Sequence, residues 1–331
     1  MKHRAQWLAD GTFGVMVHYL FAPKGDTPEA RTADFNRIVD SFDMDYFVDQ
    51  FTRTGADWLI FTIGQNTGYY NAPNAFLDRV LPGPTSRRDL VSDVARSIKG
   101  TGKRFIAYLP CEVAGQKSDV LEAFGWSADD KSEFLKRYLE FVRDYSLQLG
   151  RLEDGWWYDG AYDHLHEGKW SWQDWIDASR AGNPDSIIAF NDGAFCCGRE
   201  KPVTPLQDYH AGEVHLIEDG KIRFDFFPSE DDIVLTEDGR LRQKGREPEF
   251  YMPTSQCVDG VQQHALIPLD LTFNPAITSK YLHYTDEEVL SVARGFKAAG
   301  GGVTFNVPIE ENGHIAQSSA EQLVRIGKQL V

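Results

Sequence analysis

Cysteine is scarce in this 331-residue chain, and the few that occur do not follow a metal-binding or redox spacing. The four are Cys111, Cys196, Cys197 and Cys257, with one adjacent pair and no Cys-x-x-Cys. Zinc sites and disulfide-stapled domains need denser, regularly spaced cysteines. We therefore expect reduced thiols in a cytoplasmic protein.

Basic residues are outnumbered by acidic ones, 34 against 50, which leaves a formal net charge of -16. Such a surface repels nucleic-acid phosphates and anionic membranes. The sequence begins without the apolar stretch of a secretory signal, and no later apolar run has the length of a membrane span. We expect neither nucleic acid nor a membrane as partner, whereas a homo-oligomer stays open.

Glycine-rich phosphate-binding motifs are also missing, because neither Gly-x-Gly-x-x-Gly nor a phosphate loop occurs. His164 and His166, with Asp163 and Glu167 nearby, imitate a metal cluster, but they share one polar loop and have no third ligand at a suitable spacing. The sequence therefore predicts no cofactor and no metal.

Short apolar runs that alternate with longer amphipathic ones are abundant, which is typical of repeated βα units around a parallel sheet. The length and the 42% of hydrophobic residues fit one large barrel. We predict a (β/α)₈ TIM-type barrel as a single catalytic domain over residues 1–331, without a C-terminal β-sandwich domain. The predicted strands are Phe13–Leu20, Trp58–Ile63, Arg104–Leu109, Gly155–Tyr158, Ile187–Phe190, one near Tyr209, Phe250–Met252 and Val303–Val307. The predicted helices are Asp45–Thr54, Arg88–Lys99, Asp129–Leu149, Ser171–Ala181, Asp286–Ala299 and Ala320–Leu330.

One segment interrupts the alternation of strands and helices. Between Glu213 and Gly245 lie two Asp-Gly pairs, Asp219-Gly220 and Asp238-Gly239, flanked by alternating polar and apolar residues. An Asp-Gly pair in that setting indicates a β-hairpin turn. We predict a small β-hairpin insertion at about residues 214–245, after the sixth strand.

Chemically active side chains follow the predicted strands, where barrel enzymes gather their active sites. Asp159 is the most informative, since it directly follows Trp156-Trp157-Tyr158 and precedes Gly160. An ionised carboxylate beside three aromatic rings must find partners or water. The other polar residues at strand ends are His18, Gln65, Asn66, Tyr108, Glu112, Asn191, Asp192, Asp208, His210, Glu213 and Asn306.

Carboxylates, amides and aromatic rings without a nucleophilic Ser or Cys best fit glycoside cleavage, which needs one carboxylate at the anomeric carbon and one protonated carboxyl at the leaving oxygen. Asp159 and Glu213 are the predicted pair. Simpler interpretations stay open, because Asp159 could cap a turn, His18 could be structural and Glu213 could be an ordinary edge residue.

Several segments in the same order resemble the α-L-fucosidases of glycoside hydrolase family 29 over most of the chain. These segments are Phe13–Tyr19, Phe61–Tyr69, Arg88–Val91, Arg104–Tyr108, Trp156–Gly160, Asn191-Asp192, Asp208–Glu213 and Gly302–Pro308. The resemblance implies a retaining exo-glycosidase acting on terminal α-L-fucosides, with Asp159 as nucleophile and Glu213 as acid/base. Glu249 is held in reserve, since the acid/base position varies in that family. His18, Gln65, Asn66, Tyr108, Trp157 and Asn191 would then line the sugar subsite.

Two departures from the family concern how the sugar is bound. The family's His-His pair is Gln65-Asn66 here, and the Arg that follows Asn-Asp is Gly193. Amides form neutral, differently spaced hydrogen bonds, unlike an imidazole or a guanidinium. Two alternatives follow: the same mechanism on a sugar other than fucose, and a catalytically silent carbohydrate-binding barrel. The presence of both carboxylates argues against the second.

Overall fold

The computed structural model describes most of the chain, and its helices and strands alternate as the sequence predicts. The described residues are 3–166, 169–193, 202–213, 216–224, 233–235, 241–243, 245, 249–269 and 284–330. The strands are β1 Gly14–Val17, β2 Trp58–Thr62, β3 Arg104–Pro110, β4 Gly155–Asp159, β5 Ile187–Phe190, β6 Leu216–Glu218, β7 Lys221–Phe224, β8 Ile233–Leu235, β9 Leu241–Gln243, β10 Glu249–Tyr251, β11 Cys257–Val258, β12 Val261–Gln262, β13 His264–Pro268 and β14 Gly302–Val307. The helices are α1 Gln6–Asp10, α2 Pro28–Asp40, α3 Met44–Thr54, α4 Ala75–Val80, α5 Leu90–Gly100, α6 Ser118–Phe124, α7 Ser132–Leu149, α8 Asp163–His166, α9 Trp172–Ser179, α10 Asp286–Ala299 and α11 Gln317–Leu330, with a 3-10 turn at Gly150–Leu152.

Local sequence signals explain where the helices begin and end. Asp43 caps α3 by accepting a hydrogen bond from the Tyr46 amide, and Gly55 ends that helix with a positive φ of 78°. Thr285 and Glu288 form a reciprocal capping box at the start of α10. None of the helices in the described part of the chain is long and apolar enough to cross a membrane.

The main sheet of the described residues contains seven parallel strands in the order β13-β14-β1-β2-β3-β4-β5. Side chains alternate between its two faces. The outer face packs against the helices, as Trp156 and Tyr158 of β4 do. The inner face forms a second cluster, which includes Trp157 of β4, Tyr108 of β3 and Leu8 of α1. The sheet therefore has helices outside and a side-chain core inside, as in an α/β TIM-like fold.

The predicted sixth strand near Tyr209 is not a strand among the residues described. Instead, segment 208–213 lies between the two edges of the sheet and bonds to both by isolated hydrogen bonds. The Asp208 amide donates to the Ile188 carbonyl of β5 at 2.8 Å, and the Leu266 amide of β13 donates to the Gly212 carbonyl at 2.8 Å. The structure shows a curved seven-stranded sheet. A complete eight-stranded barrel remains a prediction.

The prediction of a barrel strand at Phe250–Met252 is wrong. Strand β10, Glu249–Tyr251, pairs antiparallel with β7 in a small separate sheet. The main sheet uses β13 instead, which pairs parallel with β14 and is mostly buried. Alternating hydrophobicity predicts an extended segment but does not identify its partner strand, and His264 and Pro268 make β13 a weak match to a strand pattern.

The predicted insertion contains hairpins. Strands β6 and β7 pair antiparallel around Asp219-Gly220, whose φ angles are 50° and 70°. Two consecutive positive φ values are the geometry that a tight hairpin turn requires. Strands β8 and β9 also pair antiparallel, while the second predicted turn, Asp238-Gly239, lies outside the described residues.

Candidate active site

Asp159 is the last residue of β4 and accepts four hydrogen bonds from neutral donors. Its Oδ2 accepts from Gln65 Nε2 at 2.6 Å and from the Tyr108 hydroxyl at 2.7 Å. Its Oδ1 accepts from Asn191 Nδ2 at 2.8 Å and from the Gly160 amide at 2.9 Å. These dipoles replace water around a negative charge, which satisfies a carboxylate beside aromatic rings.

Asn191 joins the two carboxylates of the predicted pair. Its Nδ2 donates to Asp159 Oδ1 at 2.8 Å and to Glu213 Oε2 at 2.7 Å. Both bonds start from the same Asn191 nitrogen. The distance between Asp159 Oδ1 and Glu213 Oε2 therefore cannot exceed the sum of the two hydrogen-bond lengths, 5.5 Å. Asn191 is itself fully buried, so in this structure it positions the carboxylates rather than lining an open subsite as expected.

Glu213 lies at the end of segment 208–213, where its backbone bridges to Leu266 of β13. Burial, followed by the negative charge of Asp159, raises the pKa of Glu213 to about 7. The hydrogen bond from Asn191 opposes this rise. Glu213 can therefore hold a proton near neutral pH, as a general acid must.

Tyr108, Trp157 and His18 form an aromatic support around Asp159. The Tyr108 and Trp157 rings stack with centroids 5.1 Å apart, and the His18 ring meets Tyr108 edge-on at 5.3 Å. Burial raises the pKa of Tyr108 well above its usual value, so its hydroxyl stays protonated and donates. Trp157 is fully buried behind Tyr108, which places it beneath the site rather than against a sugar.

His18 follows β1 and is held by the last strand of the sheet. Its Nδ1 lies 3.0 Å from Nδ2 of Asn306, a residue of β14. Burial lowers the pKa of His18, against the opposing effects of Asp159 and Asn306. A neutral imidazole at the edge of the site can exchange hydrogen bonds with a sugar hydroxyl.

The remaining predicted residues are not joined to the pair by the contacts that the structure describes. Asn66 follows Gln65, but its side chain is exposed and no described hydrogen bond links it to either carboxylate. The backbone of Glu249 pairs with Phe224 in the small sheet, and its side chain lies outside the described part. Glu249 therefore remains only the reserve candidate for the acid/base.

Sequence reasoning named Glu112 at a strand end but gave it no role in the site. Burial raises the pKa of Glu112, and the charge of Asp159 adds to this rise against the opposing Ala114 amide. The sequence signal that could have placed Glu112 in the site was its position just after β3. Pro110, the last residue of β3, pairs in register with Asp159 of β4, so the residues that follow β3 lie near Asp159.

The arrangement is a carboxylate held by neutral donors beside a second carboxyl that retains its proton. Among the residues described, no group of three or more His, Cys, Asp or Glu side chains could hold a metal ion. The pair itself can provide a nucleophile and a proton donor on one reacting group.

No family model matches the chain, and no curated protein matches it by sequence. Solved structures do match. An endo-fucoidan hydrolase of glycoside hydrolase family 107 superposes with a TM-score of 0.65 at 14% identity, over 99% of this chain and 93% of that one. The α-L-fucosidase isoenzyme 1 from Paenibacillus thiaminolyticus gives a TM-score of 0.63 at 18% identity, over 99% and 75%.

A further endo-fucoidan hydrolase of family 107 gives a TM-score of 0.62 at 17% identity, and this chain spans about half of its length, 53%. The chain thus has the fold of fucosidase-like glycoside hydrolases. At these identities the likeness defines the fold, and it does not single out glycoside hydrolase family 29.

Proposed function

We propose that this chain is a retaining exo-acting glycoside hydrolase that cleaves a terminal α-L-fucoside or a related α-L-glycoside. The observation that carries the proposal is the shared Asn191 amide, which keeps the nearest oxygens of Asp159 and Glu213 within 5.5 Å. Retaining enzymes separate their carboxyls by about 5–5.5 Å and inverting enzymes by roughly 6.5–9.5 Å. This bound on the nearest oxygens is compatible with the separation in retaining enzymes, and retention is the outcome that the proposal predicts.

In the first step, Asp159 attacks the anomeric carbon and forms an ester with the sugar. The bond to the leaving oxygen breaks, and Glu213 transfers its proton to that oxygen. A raised pKa suits Glu213 to this role, while the donors to Asp159 among the described residues are neutral.

In the second step, Glu213, now ionised, removes a proton from water. The resulting oxygen attacks the anomeric carbon, the ester to Asp159 breaks, and the sugar leaves with its original anomeric configuration. Both groups return to their starting protonation states, so no cofactor is required.

A panel of aryl glycosides tests the proposal, with the configuration of the first-formed product followed by NMR. Turnover of the α-L-fucoside with an α product supports it. Turnover of another sugar supports the same mechanism with a different specificity, which the amides of Gln65 and Asn66 favour. Sugar binding without turnover supports the silent carbohydrate-binding barrel.

A second candidate is endo-acting cleavage within a fucose polymer. It is favoured by the neighbours named endo-fucoidan hydrolases, which match the fold over 99% of this chain. The two modes differ in products. An exo-acting enzyme releases monosaccharide while the polymer stays long, whereas an endo-acting enzyme shortens the polymer at once, which size-exclusion chromatography measures.

A further inference from the structure

A third carboxylate lies beside Asp159 and is not used by the two-step reaction. Glu112 follows β3, and the preceding Cys111 amide donates to the Asp159 carbonyl at 2.5 Å, which ties the two strand ends together. The Glu112 side chain packs on Gly160, where an added Cβ would lie only 2.9 Å from Glu112 Cγ. Gly160 also has a φ of 73°, so the close approach and the backbone both require glycine.

Glu112 is not part of the buried core. Its side chain stays partly exposed, although the neighbouring Cys111 and Val113 are buried. The Ala114 amide donates to one carboxylate oxygen and orients the group. All four donors described for Asp159 come from other residues, so Glu112 does not serve to hold the nucleophile.

Two rings extend this side of the site outward. Tyr162 and His164 stack with centroids 5.6 Å apart and an interplanar angle of 6°, and we name this pair the aromatic platform. His164 is exposed. The Ala161 amide, just before Tyr162, donates to the Asn191 carbonyl at 2.7 Å, and the Asn191 side chain in turn bonds to Asp159. The platform therefore lies on the segment that directly follows Asp159 and Gly160, and Glu112 packs on Gly160.

Beyond the platform, His164 also lines a cavity of about 220 Å³. The same cavity is lined by Lys131, at the start of α7, and by the buried Trp170. The platform and this cavity therefore share His164.

We propose that Glu112 and the aromatic platform form the subsite that binds the leaving group, and that this leaving group is itself a sugar. The inference rests on the proposed glycoside hydrolase function. A carboxylate accepts hydrogen bonds from sugar hydroxyls, and flat rings pack on the apolar face of a pyranose. The cavity beyond accommodates the rest of an oligosaccharide leaving group.

The plainer role for Glu112 is to hold its own loop through the Ala114 amide. The variant Glu112→Gln separates the two roles, because an amide oxygen still accepts that bond while the charge is lost. His164→Ala shortens the platform independently. Glu122→Gln, on the exposed side of α6, is the matched control.

Steady-state kinetics on two substrates tests the subsite: a nitrophenyl glycoside, whose leaving group has no hydroxyls, and a disaccharide with the same terminal sugar. Glu112→Gln and His164→Ala are each expected to raise KM for the disaccharide by roughly tenfold, the effect of losing about 1.4 kcal/mol of binding. The loss on the nitrophenyl substrate should be several-fold smaller than the loss on the disaccharide in both variants, and Glu122→Gln should change neither.

Equal losses on both substrates, or an unchanged KM for the disaccharide in both variants, would overturn the subsite. Calorimetric binding of a thio-linked disaccharide that resists hydrolysis gives a second readout. The two variants should weaken this binding and leave binding of the free monosaccharide unchanged; equal affinities would again overturn it. If the unmodified enzyme turns over no glycoside but shows this pattern of binding, the hydrolase function fails and the subsite stands.

Discussion

The two ends of β4 both bear carboxylates, and the structure surrounds them in opposite ways. Before the strand, Asp154 pairs with Lys99 at 2.8 Å and with Arg104 at 2.9 Å, and it also accepts from the Phe105 amide. After the strand, the four donors described for Asp159 are all neutral. One carboxylate is neutralised by cations, and the other keeps its charge.

This difference implies that Asp154 stabilises the fold, whereas Asp159, five residues later, is placed to react. A carboxylate held by two cations is stabilised but has little freedom to react, whereas neutral donors orient a charge that can still attack carbon. Barrel folds commonly keep stability at the N-terminal ends of their strands and activity at the C-terminal ends. Asp154 and Asp159 fit this division.

The largest expected effect is at Asp159. Asp159→Ala should lower kcat/KM on an aryl glycoside by roughly 10⁴-fold or more, since removal of a catalytic nucleophile leaves only binding and the remaining groups. Circular dichroism should show an unchanged fold. Full activity in this variant would exclude Asp159 as the nucleophile.

The next effect concerns Glu213 and pH. Because burial and the charge of Asp159 raise its pKa to about 7, Glu213 is protonated below that pH, and kcat/KM should fall as pH rises through about 7. Glu213→Gln should lower the rate on a poor leaving group by about 10²–10⁴-fold and abolish this alkaline limb. An alkaline limb that persists in the variant would assign the proton to another group.

Asp154 should give the opposite result from Asp159. Asp154→Asn removes the negative charge that pairs with two partly exposed cations. Urea denaturation should therefore show that the free energy of unfolding falls by roughly 1–3 kcal/mol, while kcat/KM stays within about twofold. Asp185→Asn is the control, because its pair with Arg151 is exposed and should contribute under about 1 kcal/mol. A large loss of activity in Asp154→Asn would contradict the purely structural role that the account assigns to Asp154.

The last prediction concerns stability alone, at Glu153, which is fully buried and accepts a hydrogen bond from the Ser186 hydroxyl at 2.5 Å. Burial raises the pKa of Glu153 to about 8. The folded chain therefore keeps a proton that the unfolded chain has released above about pH 4.5, and stability falls as pH rises between these values.

Glu153→Gln cannot ionise and should lose less thermal stability than the unmodified protein between pH 5 and pH 8. For a chain of this size, each kcal/mol recovered corresponds to a rise in Tm of roughly 2 °C or somewhat less. Thermal melts at both pH values measure this. Parallel melting curves for the two proteins would contradict the buried, protonated state, and Glu122→Gln provides the exposed comparison.

The strands of the main sheet were largely predictable because buried parallel strands are short apolar runs. Strand β13 was missed because it begins with His264 and ends with Pro268, which leaves only three apolar residues between them, although His264 is buried. Strand β10 was given the wrong sheet, since a local pattern does not contain the identity of the partner strand.

The site shows the same limit at the level of side chains. The ends of strands indicated Asp159, Glu213, Gln65 and Tyr108, which the fold brings together. The double donation by Asn191 was not predictable, because the direction of an amide depends on neighbours that only the folded chain provides.

The central claim is that Asp159 forms a covalent bond with the sugar. The most direct measurement incubates the enzyme with a fluorinated glycosyl fluoride, which forms the sugar ester faster than water cleaves it, followed by peptide mass spectrometry. The account predicts a mass increase of one fluorosugar on the peptide that contains Asp159. Label on another residue, or turnover of the reagent without any labelled peptide, would contradict it.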